Sequence, residues 1–492
     1  MMTSEAQITV RNASWILVQR VLHAGSGLVF ALLVPRLMGP DIYGRYSLLS
    51  SLSVWILLFS NLNLTDVVGR YVPEFILRGD QNGLHHLWSD LFTVRLVTAV
   101  LAAAAFLGLT ALWLRELDEA ILATVAALIV VQAIAGLVFA AFLGFNQAAR
   151  WQVGETVRQW LSVGLVIVGF RLAELQGAVA GLLITELIVL AVGARWIRSH
   201  LSWPALHLDI GRSVPYLRFG LIFFASGLFH TALGASAEAL VRGITGDYAV
   251  VGYFGLAWRV FMTLAMAIPQ LSSAFIPLLT TFHAQGRVRA LEVWLERLLR
   301  YTLVGVVLVS LGVFFLAEDL VPLVLGVEFS RAAENLKWLI LTLIPMAYGS
   351  AARMVAVIYL RPRLALHASA IHLVSFWLLG VPLIVWLGGV GSSISMFSAW
   401  ALYAALFTWR ARRVLHYPLR RSALVVSLGA LFLPLLLLRS TWLVNVCLFG
   451  ASASGYMALL FFIRVVTADE LAQLWRAITH RNRVRAVSAE TE

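Results

Sequence analysis

The sequence predicts an all-α polytopic membrane protein of about fourteen transmembrane helices: two parallel six-helix lobes around a central cavity, plus two extra C-terminal helices. Hydrophobic residues make up 61% of the 492-residue chain and charged residues only 13%, whereas a soluble domain is about half apolar and a quarter charged. Apolar runs of about 20 residues, the length of a membrane-spanning helix, recur along the chain. The second half also repeats features of the first at a constant spacing.

The apolar runs divide the chain into four regions. The first six spans form the predicted N-terminal lobe (1–210), the next six form the C-terminal lobe (211–415), two additional helices lie in 416–466, and a basic tail follows (467–492). The alternating pattern of membrane-barrel strands is not evident, so helices must supply the spans. Their approximate ranges are 12–34, 45–66, 90–113, 120–143, 156–172, 176–196, 215–240, 249–280, 299–317, 335–360, 365–387, 391–409, 421–438 and 441–465.

The corner between the first two spans has a counterpart between the seventh and eighth. The segments GPDIYGRYSLL (39–49) and GDYAVVGYFGLA (246–257) align Gly39 with Gly246 and Tyr46 with Tyr253. Because each repeat contains six spans, both copies enter the membrane in the same direction, as parallel repeats do. We expect two such lobes to enclose a cavity that opens to one side at a time.

The distribution of basic residues predicts the orientation. With the amino terminus in the cytoplasm, most arginines fall on cytoplasmic segments, and the positive-inside rule then places both termini there. The net charge of +12 is explained by these loops facing anionic lipid head groups, so nucleic acid is not an expected partner.

Several kinds of chemistry have no matching motif. The single cysteine, Cys447, excludes an intramolecular disulfide and a multi-cysteine metal site. The only lysine, Lys337, does not follow a glycine loop, which excludes a Walker-type nucleotide site. We therefore expect no metal, no cofactor and no enzymatic activity.

Three segments resemble the oligosaccharide flippases of the multidrug/oligosaccharidyl-lipid/polysaccharide exporter superfamily: LLVPRLMGPDIYGRYSLLSSLSVW, DVVGRYVPEF and GDYAVVGYFGLAWRVFMTLAMAIPQLSSAFIPLL. The resemblance implies that an undecaprenyl-pyrophosphate-linked oligosaccharide moves from the inner to the outer leaflet of a bacterial inner membrane by alternating access. O-antigen, capsule or exopolysaccharide biosynthesis would use such a step. The implied partners are the lipid-linked glycan, membrane lipids and polysaccharide polymerase or ligase machinery. The resemblance also implies cavity arginines on the first and eighth helices, where Arg20 and Arg259 stand.

Ionisable residues inside the spans are the candidate site residues, because charges in a bilayer are costly and usually face a cavity. A pyrophosphate needs fixed cations, and the planar fork of arginine suits phosphate oxygens. We hypothesise that Arg20 and Arg259 bind it, with Arg353 as a third; Arg353 lies nearer a span end and could instead reach the interface. Polar stripes on the first and seventh helices add three further candidates, which could instead be interior packing groups: Gln19, His23 and His230.

Carboxylates inside the spans are candidates for ion coupling. Glu186 falls near the middle of the sixth span, while Glu238 and Asp66 lie near span ends. A mid-membrane carboxylate could accept a proton, bind sodium or pair with an arginine.

Other functions stay open at this point. A small-molecule or drug exporter and a lipid II flippase belong to the same superfamily, although a cationic drug should favour acidic cavity residues. A membrane glycan polymerase or ligase usually needs a large external loop with acid/base residues, which this sequence lacks. A structural scaffold would not require charges inside the spans.

Overall fold

The protein is built from α-helices. The computed structural model describes the backbone of residues 2–145, 147–201, 204–206, 209–359 and 361–467. Side chains are described in these ranges except at 2–24, 66, 148, 210, 212, 219, 222–223, 225–235, 273–274, 277, 362–363 and 365–366. The α-helices of the described backbone are α1 Met2–Asn61, α2 Leu64–Arg78, α3 Gln81–Trp113, α4 Glu119–Gly144, α5 Ala148–Ile197, α6 Ile210–Thr245, α7 Tyr248–Ala265, α8 Ala267–Ala284, α9 Val288–Leu325, α10 Ala332–Leu341, α11 Leu343–Ile358, α12 Pro362–Leu387, α13 Gly389–Arg412, α14 Arg420–Ala430 and α15 Trp442–Phe462. Two short 3-10 helices are Val327–Phe329 and Leu433–Leu438.

The fold class predicted from the sequence, an all-helical polytopic membrane protein, is confirmed. Within the described residues, eleven helical stretches are long and apolar enough to cross a membrane. The count of fourteen is not confirmed, because the helices do not correspond one to one with the predicted spans. The predicted spans 12–34 and 45–66 lie on either side of a turn in α1, and the second of them continues into α2. The predicted spans 156–172 and 176–196 lie on either side of a turn in α5. The predicted spans 249–280 and 335–360 are each split between two helices.

The chain of α1 reverses direction at Gly39. Gly39 has a φ of 71°, a left-handed conformation that favours glycine, and Pro40 follows it. The rings of Phe30 and Tyr46 lie on opposite sides of this point, with centroids 6.1 Å apart, whereas a straight helix would separate them by about 24 Å. Gly246, between α6 and α7, also has a positive φ of 68°. Both of the corners that the sequence repeats therefore turn on a glycine.

These two corners pack directly against each other. A Cβ atom on Gly44 would lie 1.8 Å from the carbonyl oxygen of Tyr248, and a Cβ atom on Gly252 would lie 2.2 Å from that of Pro40. Only glycine permits such an approach, so the backbones of α1 and α7 meet without intervening side chains.

Helix α5 is a helical hairpin. Ala173 and Glu174 leave the helical region, and the chain then runs back along itself. A Cβ atom on Gly169 would lie 2.0 Å from the carbonyl oxygen of Gly177, and one on Gly181 would lie 2.3 Å from that of Leu165. The two arms are antiparallel and in close contact, which brings residues equally far from the turn face to face.

The helices cluster in two compact units. The first unit comprises Met1–Ala267, Val321–Leu339 and Ala365–Tyr403, and the second comprises Ile268–Leu320, Ile340–Leu364 and Ala404–Glu492. In the first unit, a buried apolar core joins α2, α3, α4 and α5 through residues such as Val68, Trp88, Phe142 and Val189. The division into lobes at 1–210 and 211–415 stays a prediction.

Candidate functional site

A buried charged cluster lies in the first unit, where α1, α6 and α7 meet. Its charged members are Glu238 of α6 and Arg259 of α7, which lie close enough to interact electrostatically, and Tyr43 and Tyr46 of α1 lie beside Arg259. Ser47 of α1 completes the polar part. We call these five residues, together with Phe30 and Gly255, the Arg259 cluster.

Glu238 is held by a single hydrogen bond within the described residues. The side chain is 5% exposed, and its Oε1 atom accepts a hydrogen bond of 3.0 Å from the Ser47 hydroxyl. Its Oε2 atom has no hydrogen-bond partner in the described part of the chain. Gly255 makes room for this pair, because a Cβ atom there would lie 2.5 Å from the Ser47 Oγ and 3.1 Å from the Glu238 Oε1. Burying a carboxylate with one unsatisfied oxygen is costly, which favours a nearby compensating cation.

Arg259 supplies that cation without forming a close ion pair. Its guanidinium carbon lies 4.3 Å from the centroid of the Phe30 ring, a cation–π contact. The side chain is half-buried, and within the described residues it has no hydrogen bond or ion pair. The guanidinium is therefore oriented by an aromatic face while its N–H donors keep hydrogen-bonding capacity for a ligand.

The corner end of the α1–α7 contact carries a second arrangement of arginines. The ring of Tyr248 lies 4.8 Å from the Arg45 guanidinium and 4.1 Å from that of Arg242. Arg242 also binds both carboxylate oxygens of Glu116, at 2.8 and 3.0 Å. These contacts hold the start of α7 against α1 and α6.

Glu186 pairs with an arginine across the α5 hairpin. Its Oε1 atom lies 3.2 Å from Arg158 Nε, and another nitrogen of Arg158 lies 2.6 Å from a carboxylate oxygen of Glu155. The Glu186 side chain is only 6% exposed. Of the three roles considered for this carboxylate, pairing with an arginine is the one that its contacts match.

Of the remaining candidate residues, only Arg353 has a side chain within the described residues. Arg353 lies on α11 in the second unit and is exposed. The side chains of Gln19, Arg20, His23, Asp66 and His230 lie outside the described residues. Among the residues that are described, no group of three or more His, Cys, Asp or Glu side chains is placed to hold a metal ion.

Sequence reasoning missed three contributors. Ser47 and Tyr43 lie in the repeated corner 39–49, where the alignment draws attention only to Gly39 and Tyr46, although a hydroxyl next to such a corner was a usable signal. Arg158 lies near the start of the predicted fifth span (156–172), so it was not among the charges predicted deep inside a span. Arg158 and Glu186 lie 15 and 13 residues from Ala173, so a hairpin that turns there would bring them near each other.

Comparison with known proteins identifies the family. The sequence matches the family described as polysaccharide biosynthesis protein over residues 9–283. The chain belongs to this family. The matched segment includes the whole Arg259 cluster and the Arg158–Glu186 pair. Comparison with curated proteins finds no relative of significant sequence similarity.

Solved structures show which fold this family member has. It is similar to the lipid II flippase MurJ in an inward closed conformation, with a TM-score of 0.66 at 11% identity over 93% of this chain and 100% of that one. It is also similar to an inward-facing multidrug resistance MATE family transporter of the MOP superfamily, with a TM-score of 0.64 at 14% identity over 80% of this chain and 94% of that one. The protein is thus a multi-pass membrane protein with the fold of MOP-superfamily transporters.

The Arg158–Glu186 pair predicts a specific pattern of stability. Arg158→Leu should destabilise the protein by about 3 kcal/mol, because it leaves the buried carboxylate of Glu186 without its cation. Glu186→Leu should cost less, because Arg158 keeps its contact with Glu155. The double substitution should cost much less than the sum of the two. Thermal unfolding of the four purified proteins in detergent measures this coupling. Strictly additive losses would show that the two side chains do not act as a pair.

Proposed function

We propose that the protein is a flippase that moves an undecaprenyl-pyrophosphate-linked oligosaccharide from the inner to the outer leaflet of a bacterial inner membrane. Membership of the polysaccharide biosynthesis family and the MOP-type fold support this proposal. The moved glycan would serve O-antigen, capsule or exopolysaccharide synthesis, and both termini would face the cytoplasm. The observation that carries the proposal is the Arg259 cluster.

The chemistry of the cluster suits a pyrophosphate. Moving such an anion through a bilayer requires a cation that stays charged in an apolar environment, and a guanidinium does so. Arg259 offers N–H donors in a planar fork that matches phosphate oxygens. Because Arg259 is steadied by Phe30 rather than by a close carboxylate, a ligand need not displace an existing ion pair. Arg20 and Arg353, with Gln19, His23 and His230, are proposed as further contacts.

Glu238 gives the cluster a means of ion coupling. A bound pyrophosphate beside Arg259 would repel an ionised Glu238, so substrate binding and protonation of Glu238 should favour each other. Glu186 and Asp66 remain further candidates, but the contact with Arg158 already compensates the charge of Glu186. We propose that protonation of Glu238 couples the alternating-access cycle to a proton gradient.

A lipid-linked glycan suits the described cluster better than a cationic drug does. The group of the cluster that remains available to a ligand is Arg259, which is itself a cation and therefore attracts anions. A lipid II flippase is the nearest alternative, since MurJ carries lipid II in its name and shares the fold. The two alternatives differ only in the glycan that the cavity admits.

Substitution of Arg259 should strongly lower export. Arg259→Ala should lower the export of surface polysaccharide by about 10- to 100-fold, the equivalent of losing charge-assisted hydrogen bonds. Arg195→Ala is a matched control, because Arg195 is an exposed arginine of the same unit. Surface polysaccharide is measured in cells that depend on this chain, with the amount of membrane protein checked in parallel. Normal export by Arg259→Ala would refute the assignment.

Substitution of Glu238 should uncouple transport from the proton gradient. Glu238→Gln keeps an oxygen for the Ser47 hydroxyl but cannot take up or release a proton. Transport by this variant in proteoliposomes should lose its dependence on an imposed proton gradient, whereas Glu186→Gln should retain it. A Glu238→Gln protein with the same gradient dependence as the wild type would exclude Glu238 as the coupling group.

A further inference from the structure

A cavity lies in the second unit, between the first turns of α9 and the start of α14. Its volume is about 320 Å³. The residues that line it are Val293, Glu296, Arg297, Pro418, Arg420 and Arg421. None of them belongs to the Arg259 cluster, and the proposed transport step does not use them.

The cavity carries an excess of positive charge. Its one carboxylate, Glu296, is buried and lies 3.3 Å from the guanidinium of Arg300, which is itself fully buried and donates a hydrogen bond to the carbonyl of Val465. The charge of Glu296 is therefore compensated inside the protein, and three arginines line the cavity in addition. Within the described residues, neither Arg420 nor Arg421 forms a hydrogen bond or an ion pair, and both are exposed.

The start of α14 adds to this positive field. Arg420 is the first residue of the helix, and the residue before it, Leu419, supplies no side-chain hydrogen bond to the first turn. The unsatisfied N–H groups of a helix start carry a partial positive charge. Converging guanidinium groups next to such a helix start are suited to a phosphate.

The surroundings favour a phosphate that belongs to a lipid. The stretch Arg420–Leu438 is strongly apolar, yet only 22% of its apolar window is buried within the protein. Leu431 and Leu437 are 64% and 88% exposed. Trp294 lies beside Arg297, whose guanidinium is 5.8 Å from the indole ring, and tryptophan is enriched at the level of lipid head groups. Acyl chains can therefore lie along α14 while a phosphate occupies the cavity.

We propose that this cavity binds the phosphate of an anionic phospholipid head group, at the membrane face predicted to be cytoplasmic. Arg420 and Arg421 contact the phosphate, and Arg297 closes the site from α9. Basic pockets at this face are a recurrent way to hold anionic lipids. Such a site would anchor the start of α14, at a place where the helix has little protein around it.

Native mass spectrometry of the detergent-purified full chain tests the proposal. The protein is titrated with phosphatidylglycerol and, separately, with zwitterionic phosphatidylcholine. Arg420→Gln/Arg421→Gln should bind phosphatidylglycerol about 25-fold more weakly, on the basis of roughly a fivefold contribution from each arginine. Binding of phosphatidylcholine should not change. The control is Arg289→Gln/Arg361→Gln, which removes two exposed arginines of the same unit from outside the cavity and should leave phosphatidylglycerol binding as in the wild type.

Three results would overturn the proposal. The first is unchanged phosphatidylglycerol binding by Arg420→Gln/Arg421→Gln. The second is an equal loss in the control pair, which would indicate a general surface attraction. The third is displacement of phosphatidylglycerol by millimolar inorganic pyrophosphate, which would assign the cavity to a soluble phosphate. If the double variant fails to fold, Arg297→Gln alone should weaken binding about fivefold, and normal binding by that variant would count against the site.

Discussion

The structure depends on how one guanidinium is accommodated inside an apolar helix bundle. A charge at this position is costly in a bilayer, and the protein offsets that cost through a buried carboxylate at Glu238 and an aromatic face at Phe30. In the described structure, Glu238 does not form a close ion pair with Arg259. The guanidinium is therefore stabilised and held in place but still able to bind, which is the property that an anion carrier needs.

Glycines make this arrangement possible. Gly255 leaves the space that Ser47 and Glu238 fill, while Gly44 and Gly252 let the backbones of α1 and α7 touch. The α5 hairpin uses the same device at Gly169 and Gly177. Close backbone approach is a common basis of helix packing in membranes, where the hydrophobic effect does not drive helices together. Here it also fixes the positions of charged side chains, because a guanidinium cannot be steadied by an aromatic ring that moves.

Sequence reasoning predicted the helical membrane fold and the two glycine corners, and it selected Arg259, Glu238 and Glu186 as candidate site residues. It did not predict the partners of those charges, because these come from distant parts of the chain: Ser47 and Glu238 are 191 residues apart. Hydropathy located the break of α5 correctly, between 172 and 176, but it misplaced the start of the helix, which begins at Ala148, ahead of the apolar run at 156. The composition of a helix indicates whether it lies in lipid or in water. The pairing of its charged side chains depends on which helices pack together, and composition does not indicate that.

A leaflet assay on a variant that lacks the charges of both Arg259 and Glu238 is the most direct test of the role of Arg259. It asks whether Arg259 binds a ligand or only compensates the charge of Glu238. Arg259→Leu/Glu238→Leu removes both charges together, so the protein should remain folded. Purified wild type and variant are reconstituted with a fluorescent polyprenyl-pyrophosphate oligosaccharide, and the labelled lipid accessible from outside is followed by quenching. The account predicts rapid flipping by the wild type and none above background by the folded variant. Flipping at the wild-type rate by the variant would contradict it.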